Sequence, residues 1–452
     1  MYRKSFYIIK GNTKIGGKYE LLYSSISTKL IALESFIFDA YMNERFDEIP
    51  KDIFSNLLSE NFIIESDKDE LADILKNNTN FIKADKNTLY QAISPSLNCQ
   101  LGCGYCGQVH INKNFSEINE KKLFNRVLHN LSKKDYKSLG VSWFGGEPLM
   151  GLKSIKNLST IFIKHCGDNK INYSAKIVTN GLSLKNNIFK ELLNIYMVDE
   201  FEITLDGIAE YHDKRRKTKS NEKTFDIIIT NLENIVNDES FLNLNKKPTI
   251  IIRSNIDKEN ALYIKQLIEI LEEKNILKHI KFYLAPIHSW GNDAHLNALT
   301  MDEFAKIELE INLILLDKRK NIQFIPGAQK NIVCMSLKEN AELFDANGDL
   351  FNCSEISQVP LYEKDNNKHK VANYINNNND FIDSVDRPFS NWNDEIINSD
   401  LPCKTCKILP ICGGSCPKLW SEGIVACPSM KYNFEDRMLV QFYENNKNDF
   451  VL

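Results

Sequence analysis

The sequence predicts an α/β fold, a partial (β/α)6 TIM barrel between a small N-terminal module and a loop-rich C-terminal region. Three observations predict it. From residue 88 onward, β-rich runs alternate with helical runs, which is typical of a parallel sheet covered by helices. Residues 1–87 contain no cysteine and show strand patterns followed by helix patterns. After about residue 325 the periodicity weakens while Asn, Asp, Lys and Cys become frequent. These changes divide the chain into 1–87, 88–320 and 321–452.

The N-terminal module, residues 1–87, is predicted to place three strands before two helices. β-branched and aromatic residues favour the strands, and the spacing of apolar residues favours the helices. The expected strands are Ser5–Ile9, Tyr19–Tyr23 and Lys29–Leu33, and the expected helices are Phe36–Glu44 and Lys51–Asn61.

The central region, residues 88–320, contains six strand-helix repeats, fewer than the eight of a closed barrel. The expected strands are Thr88–Ser94, Gly140–Phe144, Tyr173–Val178, Glu200–Leu205, Pro248–Arg253 and Ile280–Ala285. The expected helices are Glu120–Ser132, Ser154–His165, Ile188–Tyr196, Thr224–Val236, Glu259–Glu273 and Met301–Lys318. In the fourth helix, five apolar residues fall on one face: Phe225, Ile228, Ile229, Leu232 and Ile235.

Composition excludes several classes of function. The chain has 452 residues, enough for two or three domains, and 43% of them are hydrophobic. Lys and Arg number 56 against 60 Asp and Glu, so a nucleic-acid partner is not expected. The N-terminus lacks a signal-peptide pattern, and no apolar run is long enough to cross a membrane. We therefore expect a cytoplasmic protein without a membrane partner.

Eleven cysteines in such a chain indicate metal binding, because the cytosol keeps thiols reduced. With eight histidines and no H-E-x-x-H helix, a hydrolytic zinc centre is not favoured. In the C-terminal region, a loop is expected at Asn376–Asn379. A loop-rich region with a small hydrophobic core needs another source of stability, which metal clusters could supply. Cys166, alone on a predicted helix, is interpreted as a small buried hydrophobe.

The first cysteine group is Cys99-x3-Cys103-x2-Cys106, in the loop after the first barrel strand. This loop lies at the carboxyl end of the strands, where barrel active sites are built. Three thiolates leave one iron of a 4Fe-4S cluster open to another ligand. Half of a zinc site is the alternative. The overlapping G-x-G-x-x-G is rejected as a dinucleotide motif, because seven residues including Pro95 separate it from the strand. The spacing, with Tyr105 before the last cysteine, resembles the radical S-adenosylmethionine superfamily.

Motifs at the later strand ends are similar to that superfamily in the same order. Taken singly, most of these motifs are also typical of ordinary turns, and Arg216 could equally be an exposed, solvated surface residue. The resemblance implies that they bind S-adenosyl-L-methionine: the glycine pair and the glutamate hold its amino group, later segments meet the ribose, and Arg216 pairs with its carboxylate. The residues are Gly145, Gly146, Glu147, Pro148, Thr179, Asn180, Thr204, Asp206 and Arg216.

Seven further cysteines follow, in the order Cys334-x13-Gly348-x4-Cys353, a gap, Cys403-x2-Cys406-x5-Cys412-x3-Cys416, and Cys427. This pattern resembles the SPASM extension of radical S-adenosylmethionine peptide maturases. The resemblance implies two auxiliary clusters, hence three 4Fe-4S clusters in all. The outer one would be held by Cys403, Cys406, Cys412 and Cys427, and the inner one by Cys334, Cys353 and Cys416. Because an eighth cysteine is missing, the inner cluster is expected to keep an open iron. A zinc ribbon would use only some of these cysteines.

The resemblance also implies a function. A reduced cluster would cleave S-adenosylmethionine to a 5′-deoxyadenosyl radical, which modifies a ribosomally made precursor peptide by an intramolecular thioether or another crosslink. The N-terminal module looks like the winged-helix domain that binds leader peptides by strand addition. An external flavodoxin or ferredoxin would donate electrons. Two alternatives remain: a sulfatase-maturating-type formylglycine synthase, disfavoured because Ser354 follows Cys353 where those enzymes have an aspartate, and a non-enzymatic iron-sulfur or zinc-binding protein.

Overall fold

The computed structural model describes residues 1–364, 369–376 and 387–447, so the predicted loop at 376–379 lies, apart from its first residue, outside the described residues. The chain forms two compact units. Unit 1 comprises Met1–Ala84, Thr300–Lys338 and Phe389–Leu452, and unit 2 comprises Asp85–Leu299 and Glu339–Pro388. The division into 1–87, 88–320 and 321–452 stays a prediction.

Fourteen strands and sixteen α-helices lie within the described residues. The strands are β1 Tyr2–Lys4, β2 Ile8–Lys10, β3 Tyr19–Ser24, β4 Lys29–Glu34, β5 Ile63–Glu65, β6 Thr88–Ile93, β7 Ser138–Trp143, β8 Asn172–Thr179, β9 Val198–Thr204, β10 Thr249–Ile256, β11 Ile280–Pro286, β12 Glu342–Phe344, β13 Asp349–Phe351 and β14 Lys370–Asn373. The helices are α1 Ser35–Met42, α2 Lys51–Ser59, α3 Glu70–Ala84, α4 Glu117–Ser132, α5 Leu152–Asp168, α6 Asn186–Asn194, α7 Ala209–Arg215, α8 Phe225–Val236, α9 Glu239–Leu242, α10 Ile264–Glu273, α11 Met301–Asp317, α12 Pro360–Glu363, α13 Trp392–Asn398, α14 Leu409–Cys412, α15 Pro417–Ser421 and α16 Phe434–Asn445.

Unit 2 is built on one large sheet in the order β11-β10-β9-β8-β7-β6-β12-β13-β14, counted over the described residues. The six strands from β6 to β11 are parallel and follow the chain order, which confirms the predicted partial barrel. In β8, buried Tyr173, Ala175, Ile177 and Thr179 alternate with more exposed residues, since successive side chains point to opposite faces. All five apolar residues predicted for one face of α8 are buried. The sequence did not predict β12, which adds in parallel to β6, or the antiparallel β13 and β14.

Unit 1 contains an antiparallel sheet in the order β2-β3-β4, followed by α1 and α2. The predicted strand Ser5–Ile9 is wrong: two short strands, β1 and β2, flank a turn there. The carboxylate of Glu70 accepts hydrogen bonds from the Ser5 hydroxyl and, at 3.0 Å, from the backbone N–H of Phe6, so this stretch cannot pair as a strand. Because β1 pairs with β5, a segment that the sequence left unassigned completes the module.

The predicted helix Glu259–Glu273 is too long. A short 3-10 turn occupies Ala261–Tyr263, and α10 begins at Ile264. The turn begins where the Asp257 carboxylate accepts backbone N–H groups of Glu259 and Asn260 at 3.0 and 3.3 Å. Local side-chain hydrogen bonds of this kind favour a turn over a helix. Across the described ranges, every helix falls short of the length or the apolarity that a bilayer crossing requires.

A buried ion pair joins α4 to β12 in unit 2. Glu342 is fully buried and accepts hydrogen bonds from Arg126 at 2.6 Å and from Asn130 at 2.8 Å. Arg387 approaches the same carboxylate at 3.2 Å. Burial favours the protonated acid, but the hydrogen bond and charge of Arg126 prevail and hold the pKa of Glu342 below its ordinary value. The native state therefore depends on the charged carboxylate.

We expect Arg126→Met to lower the free energy of unfolding by about 3–5 kcal/mol, because it leaves a buried carboxylate with too few partners. Arg45→Met, which removes exposed ion pairs with Glu48 and Asp39, should lower it far less, because solvent screens such pairs. Urea unfolding measures both. Since the pKa of Glu342 is lowered on folding, its contribution is fully present above the unfolded-state pKa and is lost as the pH falls. Equal urea midpoints for the two variants would contradict this role for the pair.

Candidate active site

A cavity of about 180 Å³ lies at the carboxyl ends of the parallel strands in unit 2, where barrel sites are expected. We call it the strand-end cavity. Its walls come from the loop after β6 and from the ends of the five following strands. The predicted site residues among its lining are Cys99, Cys103, Tyr105, Cys106, Gly145, Gly146, Thr179, Asn180, Thr204 and Arg216. Glu147 and Asp206 are fully buried and, like Pro148, do not line it.

The three cysteines of the first group all contribute to this one cavity. Burial is the main reason that the pKa of Cys99 rises to about 12 and that of Cys106 to about 11, and it also raises the pKa of Cys103. Without a metal these thiols stay protonated near neutral pH, and metal binding would displace the protons. Three soft sulfur donors on one cavity fit an iron-sulfur cluster with one open iron.

Hydrogen bonds from two sides fix the cysteine loop. On one side, the backbone N–H groups of Gly102 and Gly104 donate to the carbonyls of Lys217 and Arg215, both at 3.0 Å. On the other side, Val109 N–H donates to the Gln358 carbonyl at 2.8 Å, and the Gln358 side chain donates to the Leu97 carbonyl at 2.8 Å. Gly107 also packs closely, since a Cβ there would lie 1.8 Å from the Trp290 carbonyl oxygen. The loop is held in one conformation by its neighbours.

The glycine pair after β7 allows the second strand end to lie directly on the cysteine loop. Gly145 has a φ of +106°, and a Cβ on it would meet the Ser94 Oγ at 1.9 Å. A Cβ on Gly146 would lie 2.7 Å from the Asn98 carbonyl oxygen. Only glycine fits both positions, and both leave their backbone on the cavity wall.

Glu147 connects the ends of β7 and β8. Its carboxylate accepts hydrogen bonds from the Thr179 hydroxyl at 2.7 Å and from the backbone N–H groups of Asn180 and Leu149 at 2.8 and 3.0 Å. Burial nevertheless outweighs these bonds and raises its pKa. The Asn180 amide in turn lies 3.8 Å from the Cys99 sulfur. Glu147 therefore positions residues of the cavity wall from behind.

Arg216 is buried beside Tyr105 and Asp206. Its Nη1 donates to the Tyr105 hydroxyl, which donates to Asp206 at 2.6 Å, and the Arg216–Asp206 ion pair is 3.8 Å long. Asn255 also donates to the Tyr105 oxygen at 3.0 Å. The Arg216 Nε is buried and has no hydrogen-bond partner among the described residues. A fixed cation with an unused donor on the cavity wall fits an anionic ligand group such as a carboxylate.

Other lining residues were not predicted. Arg253 and Asn255 lie at the end of β10, His288 and Trp290 follow β11, and Glu355 comes two residues after Cys353. The sequence contained a signal for four of them, because polar residues at the carboxyl ends of barrel strands face the site. The predicted fifth and sixth strands ended at Arg253 and Ala285, so the following residues were not considered. No strand-end signal marks Glu355.

A second group of cysteines shares a small cavity in unit 1, which we call the outer pocket. It is lined by Cys403, Cys406, Cys412 and Cys427, together with Trp420 and Lys431. Burial raises the pKa of Cys403 to about 12 and that of Cys412 to about 11. Four soft sulfur donors on one cavity fit an iron-sulfur cluster with four protein ligands.

The remaining cysteines have different surroundings. Cys334 and Cys416 belong to unit 1 and Cys353 to unit 2. Cys334 is exposed, with its sulfur 2.9 Å from the Ser336 hydroxyl. Cys166 is 1% exposed on α5, which confirms the interpretation as a buried hydrophobe. Within the part of the chain that the structure describes, no three His, Cys, Asp or Glu side chains are arranged to hold a single metal ion.

Residues 93–241 match the family model described as Radical SAM superfamily. The chain is 25% identical over 353 residues to a cysteine-type anaerobic sulfatase-maturating enzyme of Clostridium novyi (strain NT), covering 73% of this chain and 88% of that protein.

Two solved structures share the fold. The structure described as native anSMEcpe with bound AdoMet has a TM-score of 0.58 at 17% identity and covers 79% of this chain and 98% of its own. The structure of SuiB of Streptococcus suis bound to its precursor peptide SuiA has a TM-score of 0.53 at 16% identity. It covers 95% of this chain and 99% of its own.

We expect Gly145→Ala to lower the iron content after anaerobic reconstitution, because its Cβ would collide with Ser94 and push the cysteine loop away. Gly167→Ala is the matched control, since a Cβ there meets nothing within 4 Å. Adding Ser94→Gly to Gly145→Ala should restore part of the iron by removing the colliding side chain. The iron content per chain is measured for all three variants. If Gly145→Ala binds as much iron as the unmodified protein, the need for close packing at this position is contradicted.

Proposed function

We propose that the protein is a SPASM-type peptide maturase, because residues 93–241 match the Radical SAM superfamily model. It generates a 5′-deoxyadenosyl radical from S-adenosylmethionine and modifies a ribosomally made peptide, installing an intramolecular thioether or another crosslink. One observation carries the proposal: the three thiols of the first cysteine group line the same cavity as the glycine pair and the buried Arg216. SuiB, which shares the fold, is bound to a precursor peptide, and this supports a peptide substrate.

The chain's own residues would divide the work as follows. Cys99, Cys103 and Cys106 hold a 4Fe-4S cluster, which supplies the electron that cleaves S-adenosylmethionine when both are bound. The backbone of Gly145 and Gly146 receives the amino group of the ligand, and the unused Nε of Arg216 binds its carboxylate.

Four further predicted residues divide into ligand contacts and supporting residues. Asn180 and Thr204 provide polar atoms on the cavity wall for the ribose. Glu147 and Asp206 are assigned to positioning, since both are fully buried behind that wall.

Two auxiliary clusters belong to the proposal. The outer one is assigned to the four cysteines of the outer pocket. The inner one is assigned to Cys334, Cys353 and Cys416, with an open iron, on the sequence pattern alone. These clusters would accept the electron that is released when the substrate radical closes a new bond. An external flavodoxin or ferredoxin would supply the electron for each cleavage.

The N-terminal sheet of unit 1 is the proposed leader-peptide site. Its strands β2, β3 and β4 form an antiparallel sheet with β4 at one edge, and helices follow it in the chain. An exposed edge presents backbone N–H and C=O groups to which an extended peptide can add as a further strand. Alternating side-chain pockets would then give the leader its register.

Changing Cys99, Cys103 and Cys106 together to Ala should abolish 5′-deoxyadenosine formation in an anaerobic assay with dithionite. The iron content should fall from about twelve to about eight per chain, at roughly four irons per cluster. Cys166→Ala is the matched control and should keep both the product and the iron, because Cys166 is buried on α5 and lines neither the strand-end cavity nor the outer pocket. Continued 5′-deoxyadenosine formation by the triple variant would refute the assigned active site. Zinc in place of iron would support the non-enzymatic alternative.

The bond type can be read from the mass of a peptide encoded beside the gene for this chain. A crosslink removes a pair of hydrogen atoms, and alkylation of free thiols distinguishes a thioether from a carbon-carbon bond. Formylglycine formation converts the CH2SH group of a cysteine to an aldehyde, so the peptide loses sulfur and two hydrogen atoms and gains one oxygen. It remains the second candidate, because a 25% identical relative is a sulfatase-maturating enzyme. A formylglycine product would favour that candidate over the crosslink.

A further inference from the structure

A lysine side chain contacts one sulfur of the outer pocket. Lys431 Nζ lies 3.3 Å from the Cys427 sulfur, within hydrogen-bonding distance for this donor. Both residues line the outer pocket together with Cys403, Cys406 and Cys412. Lys431 follows Cys427 by four residues and is the last residue of a short 3-10 turn, Ser429–Lys431. The lysine head is therefore directed at a proposed cluster ligand by the local backbone.

A cation at this position acts on the two redox states unequally. Each electron that enters a cluster adds one negative charge, so a nearby ammonium stabilises the reduced state more than the oxidised state. Hydrogen bonds to the sulfurs act in the same direction and are among the factors that set the potential of iron-sulfur clusters. Lys431 is solvent-exposed, so water and salt reduce the effect without removing the direct contact.

The strand-end cavity differs in this respect. Its buried cation, Arg216, donates through Nη1 to the Tyr105 hydroxyl, and no hydrogen bond from Arg216 to a cysteine sulfur occurs among the described contacts. The closest polar side-chain contact to Cys99 is the neutral Asn180 amide at 3.8 Å. Cys106 has the His110 Nε2 at 3.7 Å, and burial lowers the pKa of that imidazole, so it is neutral near pH 7. Among the described side-chain contacts, a positively charged donor on sulfur therefore distinguishes the outer pocket from the first cysteine group.

We infer that Lys431 raises the reduction potential of the outer cluster through its contact with the Cys427 sulfur. The inference rests on the proposed function, in which the four outer-pocket cysteines hold a 4Fe-4S cluster. Lys431 is a positioning residue in this role, because it acts through a proposed ligand of the cluster. When the substrate radical closes a thioether, the thiol S–H bond breaks and its proton is released, the carbon-sulfur bond forms, and the one remaining electron reduces the cluster by one unit.

The test is a redox titration of the reconstituted full-length protein, followed by electron paramagnetic resonance. Lys431→Met removes charge and donor, and we expect one of the cluster midpoint potentials to become more negative while the others stay unchanged. Lys431→Arg keeps charge and donor and should remain close to the unmodified protein. Lys407→Met is the matched control: Lys407 is also exposed and directly follows Cys406, but it does not line the outer pocket.

The possible outcomes separate this inference from the proposed function. If the unmodified protein binds no cluster at the outer-pocket cysteines, the proposed function loses its outer cluster and the inference falls with it. If iron and signals are normal but Lys431→Met leaves every potential unchanged, the inference alone is overturned. An equal shift in Lys407→Met would also overturn it, because general surface charge would then explain the effect. Should Lys431→Met lose iron, Lys431→Gln carries the same comparison.

Discussion

A fully buried carboxylate, Glu147, determines how the strand ends of unit 2 meet. Burying such a group without partners costs several kcal/mol, and here the Thr179 hydroxyl and two backbone N–H groups offset the cost. These donors come from the ends of two neighbouring strands, so the carboxylate fixes one strand end against the other. Asn180, which lines the cavity and approaches Cys99, inherits that fixed position. The geometry of the cavity wall therefore depends on a group that never reaches it.

The same principle organises the opposite wall. Asp206 is fully buried and gathers the Tyr105 hydroxyl and the Asn255 backbone N–H, at 2.6 and 2.8 Å. Arg216 then rests on Tyr105 with one nitrogen unused. His212 lies behind this group, where burial is the main reason that its pKa falls to about 3, so it stays neutral and accepts from the Asp206 N–H. Two buried acids thus hold the neutral and cationic groups that face the cavity.

The sequence predicted the elements with strong local signals. The parallel strands and α8 follow from periodicity, and the three thiols of the first group share one cavity as their position after β6 predicts. The sequence could not show that the Glu147 and Asp206 carboxylates do not line the cavity. Their placement depends on which N–H and O–H groups, distant in sequence, each carboxylate accepts hydrogen bonds from. The sequence also missed β12, whose three residues depend on pairing with β6 and on the ion pair between Glu342 and Arg126. Such short elements are determined by tertiary contacts that no local pattern records.

Burial has the same effect on the thiols of both cysteine groups. In both, loss of water raises the pKa of thiols such as Cys99 and Cys403, so the free chain holds protons where the proposed clusters require thiolates. The same loss of water strengthens the electrostatic interactions of the buried Arg216, whereas those of the exposed Lys431 are partly screened. Arg216 is fixed through Tyr105 and leaves a donor for an exchangeable ligand, whereas Lys431 contacts a sulfur directly. One cation is therefore suited to recognising a ligand, and the other to adjusting the electron affinity of a permanent group.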